Sequence, residues 1–136
     1  MKLLWLLGLL TLLGCGGSNS SSSTQRTLAG SYVGRWTNVA DPLDVGISTW
    51  TIEENGDITG NDADDTQEYV YVVSGDIDRA GNVHAQTVCI NSGTQDEVTG
   101  LVGQLQFDAQ NRLTGRLVWQ SPTPLTYTYT FTRQNP

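Results

Sequence analysis

Between Leu125 and Thr132 the chain alternates without a break. Leu125, Tyr127, Tyr129 and Phe131 are large and apolar, and Thr occupies every even position from 126 to 132. A helix would scatter these two sets around its circumference, whereas a strand puts them on opposite faces. The segment is therefore predicted to be a strand with one packed and one wet face. The same pattern recurs upstream. Leu101, Gly103, Leu105 and Phe107 alternate with Gln104 and Gln106, and Leu113, Gly115, Leu117 and Trp119 alternate with Thr114, Arg116 and Gln120. Tyr69, Tyr71, Val73, Gly75 and Ile77 form a further inward set. No window shows sustained helical periodicity.

Turn residues separate these runs. Glu54-Asn55-Gly56-Asp57-Ile58, Arg79-Ala80-Gly81-Asn82-Val83 and Ala109-Gln110-Asn111-Arg112-Leu113 repeat one form, and Asn55-Gly56 is the strongest hairpin signal among them. Strands are expected at roughly 31–38, 45–54, 57–62, 68–77, 82–90, 98–108, 112–121 and 125–133, with connections too short for a crossover helix. Such strands need either a facing sheet or closure on themselves. Closure removes exposed edges and suits a simple run of hairpins. The fold class expected is all-β: a small eight-stranded antiparallel up-and-down β-barrel, with a β-sandwich as the alternative.

The barrel accounts for residues 28–136. Ahead of it, Met1-Lys2 is a positive start, and Leu3 to Leu13 is an apolar run too short to span a bilayer as a helix. This is the pattern of a secretory signal peptide. Its end, Leu12-Leu13-Gly14-Cys15, resembles the bacterial lipobox. The resemblance implies cleavage after Gly14, so that residues 1–14 are a lipoprotein signal peptide. It also implies acyl chains, palmitate among them, on Cys15, which becomes the lipidation site. Gly16 stands where an inner-membrane retention signal would place Asp, which implies outer-membrane sorting in the cell envelope. Residues 15–27 then form the lipidated Cys and a tether, whose Gly16-Gly17-Ser18-Asn19 and following serines have nothing apolar to bury. The membrane, reached through the lipid on Cys15, is the first partner expected.

Composition excludes several chemistries. Lys2 is the only lysine, and losing it takes the formal charge from −7 to −8, against the clustered basic residues that nucleic acid demands. No nucleic-acid partner is expected, nor any lysine nucleophile. With Cys15 lipidated, Cys89 has no cysteine left to pair with. It shares a predicted strand with His84 at a spacing of five, so the two side chains leave opposite faces and form no dyad.

The stretch Gly34-Arg35-Trp36-Thr37-Asn38, together with Arg133 at the end of the last strand, resembles the calycin superfamily of lipocalins and avidins. There a Gly-x-Trp of the first strand packs in the barrel floor, and a cation from the last strand lies over the indole. The resemblance implies that Gly34, Trp36 and Arg133 close the barrel. The chain departs from it in lacking the lipocalin Thr-Asp-Tyr and the polar set with which avidins hold biotin, so no ligand identity is carried over.

Candidate chemistry is sparse. The run Asn61 to Glu68 is rich in oxygen ligands but lacks a calcium-loop spacing, and reads as a solvated acidic loop. Glu53 with Glu54, and Asp76 with Asp78, sit at strand ends where exposed acids are ordinary, and His84 reads as a surface residue. No catalytic residue, metal site or cofactor is expected, and the chain is not expected to be an enzyme. The inward aromatics carry more. Tyr32, Trp50, Tyr71, Trp119, Tyr127 and Tyr129 are the candidate ligand-binding residues of a barrel that could hold one small, partly apolar molecule. The alternative is a filled barrel acting as a protein-interaction or hydrolase-inhibitor lipoprotein of the envelope. It would work through exposed apolar loops, with Asp41-Pro42-Leu43 and Ser121-Pro122-Thr123-Pro124 as stiff candidates.

Overall fold

A computed structural model describes residues 27–91, 97–120 and 122–135. Residues 1–26, which include the expected signal peptide, Cys15 and most of the expected tether, lie outside the described residues. Eight strands follow one another: β1 (Gly30–Asn38), β2 (Val45–Ile52), β3 (Asp57–Asp64), β4 (Val70–Ile77), β5 (Asn82–Cys89), β6 (Val98–Phe107), β7 (Leu113–Gln120) and β8 (Leu125–Arg133). Each pairs antiparallel with the next, and β1 pairs with β8, so the sheet closes as an up-and-down barrel. The expected fold class is the one observed, and it agrees with a calycin-like architecture; the sandwich is not formed.

The alternation along β8 does what its pattern requires. Tyr127, Tyr129 and Phe131 are buried, while the threonines between them face outward or sit half-covered. Closure also fixes two distinct ends. The base carries the three repeated turns, and their geometry repeats as their sequences do. The amide of Glu53, Asp78 or Asp108 donates to the carbonyl four residues on, and the residue three places on returns a bond to that first carbonyl. That returning residue has positive φ in every case: Gly56 (94°), Gly81 (89°) and Asn111 (64°). Gly and Asn tolerate this conformation best. In the Asn55-Gly56 turn only the glycine uses it. The Asp78 and Asp108 carboxylates accept amide hydrogens from within their own turns, which holds both carboxyls below the ordinary aspartate value. The other end, here called the mouth, carries the longer connections 39–44, 65–69, 90–97 and 121–124.

The base is latched differently from the calycin expectation. Arg133 does not lie over Trp36. Its guanidinium carbon is 5.5 Å from the Tyr32 and Phe107 ring centroids, and Nε and Nη2 donate to the Tyr32 hydroxyl at 3.1 and 2.8 Å. Register gives the reason: Arg133 pairs with Tyr32, whereas Trp36 pairs with Tyr129 further along β1. Gly30-Ser31-Tyr32 thus takes the place expected of Gly34-Arg35-Trp36, and Trp36 belongs to the mouth. Gly34 still sits on the seam, where an added Cβ would lie 2.3 Å from the Thr130 carbonyl of β8. The Tyr32 hydroxyl donates onward to the Leu28 carbonyl at 2.7 Å, and Arg133 also bonds the Thr27 carbonyl. One side chain therefore ties the first strand, the last strand and the incoming chain together. Arg133→Met keeps the stem and removes these bonds, and is expected to lower unfolding free energy by about 1–3 kcal/mol in urea titrations. An unchanged midpoint would show that the latch is ornamental.

Two further expectations need correction. Tyr69, read as inward, lies before β4 and is 44% exposed. β3 runs to Asp64 rather than stopping at 62, so half of the supposed acidic loop is strand.

Candidate functional site

The barrel interior is filled from the base upward. Tyr32, Ile52, Ile58, Ile77, Val83, Leu105, Leu113 and Phe131 are buried there. Above them Trp50 lies 4.8 Å from Phe131 and 5.5 Å from Tyr129, ring centre to ring centre, with Val73, Leu101 and Leu117 completing the layer. Gly60 belongs with Trp50: an added Cβ would come 2.7 Å from the indole Cδ1. Of the six aromatic candidates, Tyr32 and Trp50 are thus packed core rather than cavity lining.

The other four converge at the mouth. Tyr71, Trp119, Tyr127 and Tyr129, joined by Trp36, Thr87 and Asp62, surround a small cavity of about 10 Å³. That is space for roughly one water molecule. Two edge-to-face pairs wall it: Tyr71 with Trp119 at 4.7 Å and Trp36 with Tyr127 at 5.2 Å, both at 89°. Trp36 is seated by Gly46, whose missing Cβ would lie 2.2 Å from Cζ2 of the indole. The Tyr127 hydroxyl donates to Asp44 at 3.2 Å, and burial, reinforced by the charge of this acceptor, pushes the phenol well above its ordinary value. Burial raises Tyr71 to about 12.

Asp62 is the residue that sequence reasoning missed. It was placed in a solvated acidic run, but it is 4% exposed and faces into the barrel from β3. Trp50 Nε1 donates to Oδ1 at 2.8 Å, and the Tyr129 hydroxyl donates to Oδ2 at 2.7 Å. The Ser48 hydroxyl, on the directly paired residue, approaches the same carboxylate without completing a hydrogen bond of normal geometry. Parity was the available signal. Ile58, Gly60 and Asp62 share one face of β3, and an acid continuing an inward series differs from an acid in a loop. Asp64, by contrast, is solvated and turns back on its own loop, accepting from Thr66 and from the Tyr69 amide. Its hydrogen bond from Thr66 is the main reason its pKa is lowered.

Burial pushes the Asp62 carboxyl above the ordinary aspartate value, and the hydroxyls of Ser48 and Tyr129 and the Trp50 indole N–H only partly oppose it. The consequence for stability has a definite sign. Below the unfolded-state value of about 3.9, both states carry the proton. As pH rises from there to the folded value, only the unfolded chain ionises, and stability is lost at about 1.4 kcal/mol per pH unit. Asp62→Asn holds the neutral form and can keep both hydrogen-bonded partners. Its stability relative to the native chain is expected to grow as pH rises from the ordinary aspartate value towards the raised folded-state one, and then to level off. Parallel curves from urea unfolding would show that Asp62 does not titrate in this range.

Three buried side-chain polar atoms have no hydrogen-bond partner among the described residues: Trp36 Nε1, Ser48 Oγ and Trp119 Nε1. All belong to the mouth half of the barrel, where two of these residues line the cavity. An unsatisfied buried donor costs about 1–3 kcal/mol, so the mouth is built less tightly than the base. Around it, Val39, Leu43, Tyr69, Ile90 and Val98 stand exposed, Leu43 by 90%. They make up five of the eight exposed large apolar residues among those described. Cys89 is half-buried on the inward face of β5, and His84 is exposed on the outer one. No group of three or more His, Cys, Asp or Glu able to hold a metal ion occurs among the described residues. Comparison with protein-family models, with curated proteins and with solved structures finds no match to this chain.

Proposed function

We propose that this chain is a lipid-anchored recognition module of the cell envelope, fixed to the membrane through Cys15 and binding its partner at the mouth. The observation that carries this reading is the placement of exposed apolar side chains. Val39, Leu43, Tyr69, Ile90 and Val98 gather at one end, and the chain enters the barrel at the other, beside Arg133. Clustered apolar exposure of this kind marks binding surfaces. The lipobox puts the anchor 12 residues before Thr27, a reach of up to about 40 Å when extended. The base then faces the membrane, most simply the outer membrane, and the mouth faces away from it. The filled core favours an envelope protein as the partner, as in the interaction or inhibitor reading.

A photo-crosslinking amino acid at Leu43 and at Ile90, in the full chain expressed in a bacterial envelope, tests the assignment. Discrete adducts from these positions, absent when the probe replaces Thr51 on the outer wall, are the expected result. Adducts from Thr51 alone, or none from the mouth, would overturn it. Cys15→Ser is expected to release the chain from the membrane fraction.

The aromatic cavity supports a second reading, in which a small, partly apolar ligand enters the mouth and rests on Tyr71, Trp119, Tyr127 and Tyr129. A reproducible excess in the native mass of the purified chain, lost with Tyr129→Ala, would favour it.

A further inference from the structure

The geometry points to the mouth cavity as a receptor for a single alkylammonium group, of the kind carried by a lysine side chain, with Asp62 as its counter-ion. This rests on the reading of the mouth as the binding face and names what that face selects. Four observations converge on it.

Asp62 lines the cavity almost without exposure, and no Arg or His among the described residues forms an ion pair with it. Trp50 and Tyr129 donate to it and the Ser48 hydroxyl approaches it, which still leaves a carboxylate acceptor site open. A buried carboxylate without a cation is an expensive arrangement that a cationic ligand relieves.

The walls are aromatic. Trp36, Tyr71, Trp119 and Tyr127 enclose the space in two perpendicular pairs, and ring faces attract cations most strongly where water is excluded. The space itself, about 10 Å³, is that of one water-sized group, and a compact ammonium demands less room than a planar guanidinium. Tyr71 and Trp119, packed edge to face, are only half-buried, so this wall of the cavity borders solvent.

Finally, the surrounding field has the right sign. The mouth connections and strand ends carry Asp41, Asp44, Asp64, Asp65, Glu68 and Glu97 and no Lys or Arg. Arg35, on the neighbouring wall, is engaged by Asp65 at 3.1 Å. A cleft lined by one sign of charge concentrates the opposite ion. The apolar rim then suits an alkyl stem or the surface around a lysine.

The test is a titration of the full chain, in mild non-ionic detergent at pH 8 and 150 mM salt, followed through its tryptophan indole N–H resonances. The probes are butylammonium, its neutral isostere 1-butanol, butylguanidinium, and the capped tripeptide Ala-Lys-Ala. Butylammonium is expected to shift the Trp36 and Trp119 signals at concentrations about tenfold or more below those needed with butanol or butylguanidinium. Asp62→Asn should abolish that preference. Should this variant fold poorly, Tyr71→Leu removes one wall at a half-exposed position and should weaken the ammonium response several-fold. Tighter binding of the tripeptide than of butylammonium would assign the group to a protein lysine, and equal binding would assign it to a free amine. Equal shifts with butylammonium and butanol would leave the mouth as an apolar binding face and overturn the ammonium assignment. No shift at Trp36 or Trp119 with any probe would overturn it as well, whereas the crosslinking result decides the wider reading independently.

Discussion

Trp50→Ala is expected to remove most of the stability of the barrel. Trp50 is 1% exposed and lies at the centre of the interior, against Tyr129 and Phe131. Truncating a buried indole costs about 3–5 kcal/mol through lost transfer energy and the cavity left behind. Here it also strips the buried Asp62 carboxylate of its 2.8 Å donor, which adds roughly 1 kcal/mol or more. Domains of this kind are stable by only about 5–15 kcal/mol, so the variant should lie near the edge of folding. Trp50→Phe separates the two effects, since it keeps most of the apolar volume and deletes only the donor. Its expected loss is about 1–3 kcal/mol, and it should shrink in the Asp62→Asn background, where no charge is left unpaired. Urea unfolding of the single and double variants measures each step. Equal losses for Trp50→Ala and Trp50→Phe would mean that the hydrogen bond, not the packing, is what Trp50 contributes.

Gly46→Ala, a change of one methyl group, is expected to destroy the mouth while leaving the base intact. The added Cβ would lie 2.1 Å from the Ala63 carbonyl, 2.2 Å from Trp36 Cζ2 and 2.3 Å from Cε2. Backbone of β3 blocks one direction and a rigid indole the other, so no flexible side-chain end is available to give way. Trp36 must leave its seat, and with it goes the edge-to-face contact to Tyr127. Overpacking of this kind costs about 1–3 kcal/mol, occasionally more. The Trp36 indole resonance should move while that of Trp50 changes little, and binding at the mouth should be lost even though the chain still folds. A Trp36 signal that stays in place would show that β2 and β3 can part to admit the methyl group.

These two positions also show where the sequence was readable and where it was not. The strands were legible because each carries its instruction locally. The Leu125–Thr132 alternation needs no knowledge of what it packs against, and the three turns announce themselves through Gly56, Gly81 and Asn111. The inward aromatics, Tyr69 excepted, were legible for the same reason. Depth along the barrel was not, because it depends on register between β1 and β8, which no single strand encodes. That is why Gly34-Arg35-Trp36 was expected beside Arg133, when the stagger of the closed sheet brings Tyr32 there. Asp62 was hidden by composition: acids at 62, 64, 65 and 68 look like one solvated run, although the strand continues through its first half. Gly46 gave no sign at all, since the need for a missing side chain arises only where Trp36 crosses from the neighbouring strand.

The seam between β1 and β8 sets the order in which such a molecule can assemble. Seven of the eight strand pairings join neighbours in the chain, and only this one spans its full length. Local hairpins form fast and distant pairings slowly, so the meander is expected to zip before the ring shuts. Until it does, two bare strand edges coexist with a half-exposed core, and that interval is when chains would stick to one another. The Arg133 latch acts at the moment of closure. Substitutions there should quicken unfolding and leave the refolding rate nearly unchanged, while changes in the turns at Gly56 and Gly81 should slow refolding. The last strand to arrive thus carries the residue that holds the ring closed.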